Sequence, residues 1–172
     1  NQAVKEHGLM EPGKILDDLN KLSSEALNKN AENNSVRDGM DLSFCALDKE
    51  KMELQFAGAN NPLYIIRNNE FISVAPDKFA IGAFEPGTKH YKNHTTKLEK
   101  GDCLYVFSDG YADQFGGKKG KKFMYKRFRE MLMEIKDLSM EEQKSKLYDA
   151  MEKWRGNFEQ IDDILVIGVK IN

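Results

Sequence analysis

"YVFSDGYADQFGG", residues 105–117, sets two acids and a hydroxyl where an apolar run gives out. Leu104, Tyr105, Val106 and Phe107 follow one another without a polar break, the pattern of a strand buried on both faces. Ser108, Asp109 and Gly110 end it, and Asp113 follows shortly after. Two arrangements look like this. One is an Asp-Gly turn, because Asp bonds locally and Gly takes positive φ. The other is a strand end that holds carboxylates over a cation. A second segment bears on the choice: "QIDDILVIGV", residues 160–169, opens another apolar strand with Asp162 and Asp163. If the two strands are antiparallel neighbours, the end of one lies beside the start of the other. Asp109, Asp162 and Asp163, with Asp113 nearby, would then share one sheet edge. Like charges so close repel unless something cationic sits among them. Oxygen donors without His or Cys suit a hard ion such as Mg²⁺ or Mn²⁺. Spacing alone leaves both arrangements open.

Around these segments, strand runs and helix runs are largely segregated. "MDLSFCALD" (40–48) alternates with period two, residues 48–51 turn it, and "MELQFAGA" (52–59) returns, forming a hairpin. "NPLYIIR" (61–67), Asn68-Asn69 and "EFISVA" (70–75) make another. A Pro- and Gly-marked loop at 76–87 leads to a strand near 89–98 and the tight turn Lys100-Gly101-Asp102. Helices are expected over 2–7 and from Glu11-Pro12, where Ile15, Leu16, Leu19, Leu22 and Ala26 form one apolar face. Two more follow the opening motif, one striped by Phe123, Phe128, Met131, Leu132 and Ile135, the other by Leu147, Met151 and Trp154. "DDILVIGVKI" (162–171), apolar on both faces, reads as a central strand. The fold class is α/β (α+β): a layered sandwich of mostly antiparallel sheets flanked by helices, one domain over residues 1–172.

At 172 residues, 40% hydrophobic and 31% charged, the chain can bury a core and lacks the composition of a disordered segment. A net charge of −2 argues against a nucleic-acid partner. The basic run Lys118, Lys119, Lys121, Lys122, Lys126 and Arg127 reads as the solvated face of a loop and a helix start. Cys45 and Cys103 lie in strand runs without metal-ligand spacing, as two buried, reduced thiols. No signal peptide or long apolar run is present, so no membrane contact by this stretch is expected. Asp38-Gly39-Met40-Asp41 reads as a turn with an outward acid. Neither a His-Glu-x-x-His zinc motif nor a Walker loop occurs, and Ser108 lacks flanking Gly-x-Ser-x-Gly.

"DGMDLSFCALD", "LQFAGANNPLYIIR", "LEKGDCLYVFSDGYADQFGG" and "QIDDILVIGV", in that order, resemble the SpoIIE branch of the PPM (type 2C) metal-dependent serine/threonine phosphatases. The likeness runs through essentially the whole chain. It implies that Asp109 is the metal-bridging aspartate of the Ser-Asp-Gly motif, with Gly110 adjoining it. Asp162 is then the second metal aspartate, with Asp163 its partner, and Asp113 the acid of an additional, weaker site. The implied cofactor is a pair of Mn²⁺ or Mg²⁺ ions, with direct attack of metal-activated water on phosphorus. The implied setting is bacterial and cytoplasmic: an upstream sensor in a parent chain that is itself membrane-anchored or not, and a phosphoprotein substrate such as an anti-sigma-factor antagonist.

Two departures shape the expectation. The family's first motif, an Asp followed closely by Gly-His-Gly, is absent, and Ala57-Gly58-Ala59-Asn60-Asn61-Pro62 lacks the family's His. The chain is therefore expected to be an N-terminally truncated domain, weakly active or inactive, with unpaired sheet edges that favour a homodimer. The rival expectation is a pseudophosphatase that docks a regulator without chemistry. A Ca²⁺-binding structural domain lacks its Asp-x-Asp-x-Asp-Gly loop.

Overall fold

The computed structural model describes residues 11–29 and 39–172. In chain order come α1 (Pro12–Lys29), β1 (Leu42–Asp48), β2 (Glu53–Ala59), β3 (Leu63–Arg67), β4 (Glu70–Val74) and β5 (His94–Lys97). These are followed by β6 (Cys103–Phe107), α2 (Gly110–Asp113), β7 (Phe115–Gly116), β8 (Lys121–Lys122), α3 (Tyr125–Ile135), α4 (Met140–Arg155) and β9 (Val166–Lys170). The paired strands are antiparallel, which gives the mixed α and β class expected from the segregated runs. The described residues divide into two compact units, one from residues 11–29, 39–63 and 74–99 and the other from residues 64–73 and 100–172.

The first unit carries the sheet β1-β2-β5. The β1–β2 hairpin turns where the Lys51 amide donates to Asp48 Oδ1 at 2.9 Å, and it runs in register from Asp48↔Glu53 to Leu42↔Ala59. Leu16, Ala57, Ala59, Ile81, Phe84 and Tyr91 form its core. Two expectations are corrected here. Ala26 is exposed, and the buried stripe of α1 includes Asn20, whose Oδ1 accepts the Gly82 amide at 2.8 Å. The helix thus spends part of its inner face satisfying a loop backbone that would otherwise be buried unpaired. Cys45 is exposed, because the alternation of β1 turns Phe44 and Ala46 inward and Cys45 outward. The expected helix at 2–7 lies outside the described residues.

In the second unit the sheet order is β4-β3-β6-β9. As its unbroken apolar run predicts, β6 is interior, with Cys103, Leu104, Tyr105 and Phe107 all buried. Tyr64, Cys103, Tyr105 and Phe107 share one core with Tyr111, Phe128, Leu132, Leu147 and Met151. Asp102, 1% exposed, is held by Arg67 through a fork: Nε donates to Oδ1 at 2.9 Å and Nη2 to Oδ2 at 2.7 Å. Ser139 and Glu142 close a capping box on α4.

The reading of the last strand as central is corrected. Among the described residues β9 lies at the edge of its sheet. Ile164 and Val166 pack on the core, while Leu165, Ile167 and Val169 are 55%, 48% and 42% exposed. Apolar residues on both phases of a strand do not place it centrally when only one phase is covered. The lysine run lies as expected in part: Lys118 and Lys119 are in the β7–β8 turn and Lys126 and Arg127 begin α3, while Lys121 and Lys122 form β8. Trp154 shapes that hairpin. A Cβ on Gly116 would lie 2.0 Å from the Trp154 carbonyl oxygen, so only glycine fits. Among the described residues no helix is long and apolar enough to cross a membrane.

Candidate metal centre

β6 and β9 are antiparallel neighbours, and Phe107 at the end of one pairs with Val166 at the start of the other. This is the arrangement that brings "SDG" beside "DD". Three hydrogen bonds at Ser108 extend the ladder past the strand ends. The Ser108 amide donates to the Leu165 carbonyl at 3.0 Å. The Leu165 amide donates to Ser108 Oγ at 2.9 Å, and that hydroxyl donates to the Asp163 carbonyl at 2.7 Å. Gly110 allows the approach: a Cβ there would lie 2.4 Å from the Asp163 carbonyl oxygen and 2.9 Å from its carbon. No side chain could occupy that position while the 162–163 backbone stayed in place.

Asp109 stands at the N-cap of α2, where its carbonyl accepts the amides of Ala112 and Asp113, both at 2.9 Å. Its carboxylate takes no part in capping the helix. Tyr111 anchors the same helix, donating from its phenol to the Leu147 carbonyl at 2.8 Å. Burial pushes that phenol far above its ordinary range, so it stays a neutral donor. Asp162 and Asp163 are exposed. Asp162 Oδ1 accepts the Asp163 amide at 2.7 Å, and the Asp162 carbonyl accepts Gln160 Nε2 at 2.8 Å. The Gly110 carbonyl accepts the Gln114 amide at 3.0 Å. Asp113, one turn beyond Asp109, forms an ion pair with Lys122 Nζ at 2.8 Å.

The main chain thus brings Asp109, Gly110, Asp162 and Asp163 to one sheet edge and ties Asp113 to a lysine. In kind, the donors at this edge suit a hard divalent cation. In number they fall short: among the described residues no three His, Cys, Asp or Glu side chains form a group able to hold a metal ion. Sequence reasoning missed two contributors. Ser108 carries the clip, and its only sequence signal is its place between the strand and the acid. Lys122 reaches Asp113 because "GGKKG" folds as a hairpin that turns the chain back.

A family model described as Stage II sporulation protein E (SpoIIE) matches residues 2–172. Among solved structures, the SiaA-PP2C domain of Pseudomonas aeruginosa has a TM-score of 0.87 at 26% identity, over 99% of this chain and 65% of that one. The Mn-presoaked phosphatase domain of the cell fate determinant SpoIIE from Bacillus subtilis gives 0.55 at 18%, over 92% and 72%. The Mycobacterium tuberculosis serine/threonine phosphatase PstP/Ppp gives 0.63 at 12%, over 98% and 78%. The last two likenesses concern the fold alone. The chain spans 65% of the SiaA-PP2C domain's length. No curated protein sequence matches it.

Proposed function

The chain belongs to the Stage II sporulation protein E (SpoIIE) family, and from that premise we propose that it forms part of a metal-dependent phosphoserine/phosphothreonine protein phosphatase domain. The observation that carries the proposal is the Ser108–Gly110 clip, which sets Asp109 against the Asp162-Asp163 backbone. Asp109 and Asp162 would hold Mn²⁺ or Mg²⁺ together with ligands from outside the described residues, with Asp163 and Asp113 flanking. The chemistry such an ion supplies is a water acidic enough to attack phosphorus directly. The chain's own residues do the rest. Pairing of β6 with β9 fixes the spacing of the donors, and α2 presents Asp109 at the strand end. Lys122, paired with Asp113, would supply a cation on the α2 flank of the site and temper repulsion of a phosphate dianion there. Ser108 Oγ donates to the Asp163 carbonyl and accepts the Leu165 amide, partners that would not activate it as a base would, so no phosphoenzyme is expected.

The same reading places the domain in a bacterial signalling protein. There an upstream sensor regulates it, and an anti-sigma-factor antagonist is one candidate substrate, in the cytoplasm. The exposed apolar phase of β9 would favour a homodimer. With the donor set short among the described residues, this chain alone should turn over slowly. That shortfall also favours a second reading, a pseudophosphatase that docks a partner. The test is phosphate release from p-nitrophenyl phosphate with Mn²⁺, on this chain and on a longer chain carrying upstream residues, each with Asp109→Asn. Turnover that is slow here, faster in the longer chain and lost on substitution supports the phosphatase. Turnover indifferent to Asp109→Asn overturns the site, and none in the longer chain favours the docking module. Fast Asp109-dependent turnover here would refute only the expected slowness.

A further inference from the structure

The lysine run is more ordered than a solvated face needs to be. Between residues 110 and 129 seven cations, Lys118, Lys119, Lys121, Lys122, Lys126, Arg127 and Arg129, accompany a single acid, Asp113, in a chain whose net charge is −2. Among the described residues Lys118, Lys119 and Lys121 are exposed and none is ion-paired. Yet the hairpin that carries them is fixed on several sides. The Gly117 amide donates to the Trp154 carbonyl at 2.8 Å, and Trp154 Nε1 donates to the Gln114 carbonyl at 3.0 Å. The Phe123 amide donates to the same Gln114 carbonyl at 2.9 Å, and the Met124 amide donates to the Ala112 carbonyl at 2.7 Å. Arg127 lies 4.3 Å over the Trp154 ring, and the Phe158 ring lies against Gly120 at the tip. Lys122 joins the base to Asp113, on the helix that begins beside Asp109.

A folding argument gives no reason to hold like charges side by side on a braced ribbon, because such charges repel and are normally dispersed. A binding argument does. A phosphorylated segment that approaches an edge of carboxylates is repelled, and a cationic strip joined to α2 through the Lys122–Asp113 pair offsets the repulsion and steers the approach. We propose that the β7–β8 hairpin, through Lys118, Lys119 and Lys121, docks acidic residues that flank the phosphorylated residue of a protein substrate, and so determines specificity. This rests on the phosphatase reading above. A protein ligand is favoured over nucleic acid because the strip is one short two-stranded ribbon on a chain of slight net negative charge.

The test uses labelled peptides in fluorescence anisotropy: an acidic phosphopeptide, its unphosphorylated form, a phosphopeptide with neutral flanks, and an RNA oligonucleotide as competitor. Each is measured with this chain and with Lys118→Gln/Lys119→Gln/Lys121→Gln, whose exposed sites leave the core untouched. Both acidic peptides should bind about tenfold more weakly to the variant. Affinity should also fall as salt rises from about 50 to about 300 mM, as the Debye length shrinks. The neutral peptide should not distinguish the proteins. Equal binding of the acidic peptides to both proteins, or stronger binding of RNA than of acidic peptide, overturns the proposal. The unphosphorylated peptide reads the strip without hydrolysis, and p-nitrophenyl phosphate reads the carboxylate edge without the strip. Failure of either reading therefore shows separately.

Discussion

Replacing Gly110 with Ala sets two effects of opposite sign against each other. Gly110 is the first residue of α2, and in a helix Ala is favoured over Gly by about 0.5–1 kcal/mol. Helix propensity alone therefore predicts a more stable protein. The neighbouring chain predicts the reverse. The new Cβ would lie 2.4 Å from the Asp163 carbonyl oxygen, where ordinary contact begins near 3.4 Å, so the 162–163 segment must retreat by about 1 Å. The obstacle is backbone, and no rotamer change can clear it. Overpacking of this kind costs roughly 1–3 kcal/mol. The retreat also strains the bond from Ser108 Oγ to the Asp163 carbonyl, now 2.7 Å, and losing it costs roughly another 0.5–1.5 kcal/mol. The clash wins, and a net loss of about 1–3 kcal/mol is expected. Urea unfolding followed by Trp154 fluorescence measures it. Thermal melts should drop by about 2–4 °C for each kcal/mol. Ser108→Ala, which removes the hydroxyl without adding bulk, should give a smaller loss of about 1 kcal/mol. Gly110→Ala as stable as the parent, or more so, would refute the close approach on which the candidate centre depends.

Two further outcomes follow from buried or half-buried charge. Asp102→Ala strands the Arg67 guanidinium beside a buried position and should cost about 3–5 kcal/mol in urea unfolding; a loss below about 1 kcal/mol would contradict the forked pair. His94 on β5 has its pKa lowered first by burial and then by Lys92. A His depressed in the folded state favours folding while neutral. That contribution is present above the unfolded value of about 6.5 and is lost as pH falls through the lower folded value. Urea midpoints measured from about pH 7.5 down to pH 5 should fall less steeply in His94→Gln, and an identical slope would show that His94 does not carry the effect.

How much of this was legible in the sequence depends on what each signal reports. The unbroken run Leu104–Phe107 reports burial on both faces, and β6 is interior. Alternation in "SFCAL" reports a strand with two unlike faces, but not which residues fall on the covered one, and so Cys45 was misplaced. "LVIGV" reports apolar residues on both phases. It cannot report whether a neighbour covers them, which is a property of the whole sheet. On α1 the apolar periodicity located the helix but could not reveal that a loop amide would require Asn20 inside. The juxtaposition of "SDG" with "DD" was legible as a condition, since antiparallel pairing of two strands was the single assumption it needed. The pairing of Asp113 with Lys122 was not, because it depends on where a hairpin turns back.

The structure also revises the reason the carboxylates sit together. From sequence, clustered acids imply a cation that holds them. In the fold, the segments are joined by groups that carry no charge: the Ser108 amide and hydroxyl, the Leu165 amide and carbonyl, the Asp163 carbonyl, and the missing side chain of Gly110. Two like charges about 4 Å apart in water repel by about 1 kcal/mol. The three hydrogen bonds at Ser108 contribute roughly 0.5–1.5 kcal/mol each, enough to outweigh that repulsion at an exposed edge. The strand ends on an acid because its pairing with β9 supplies the force that keeps the acid there. On the phosphatase reading proposed above, a cation would serve the chemistry and not the assembly.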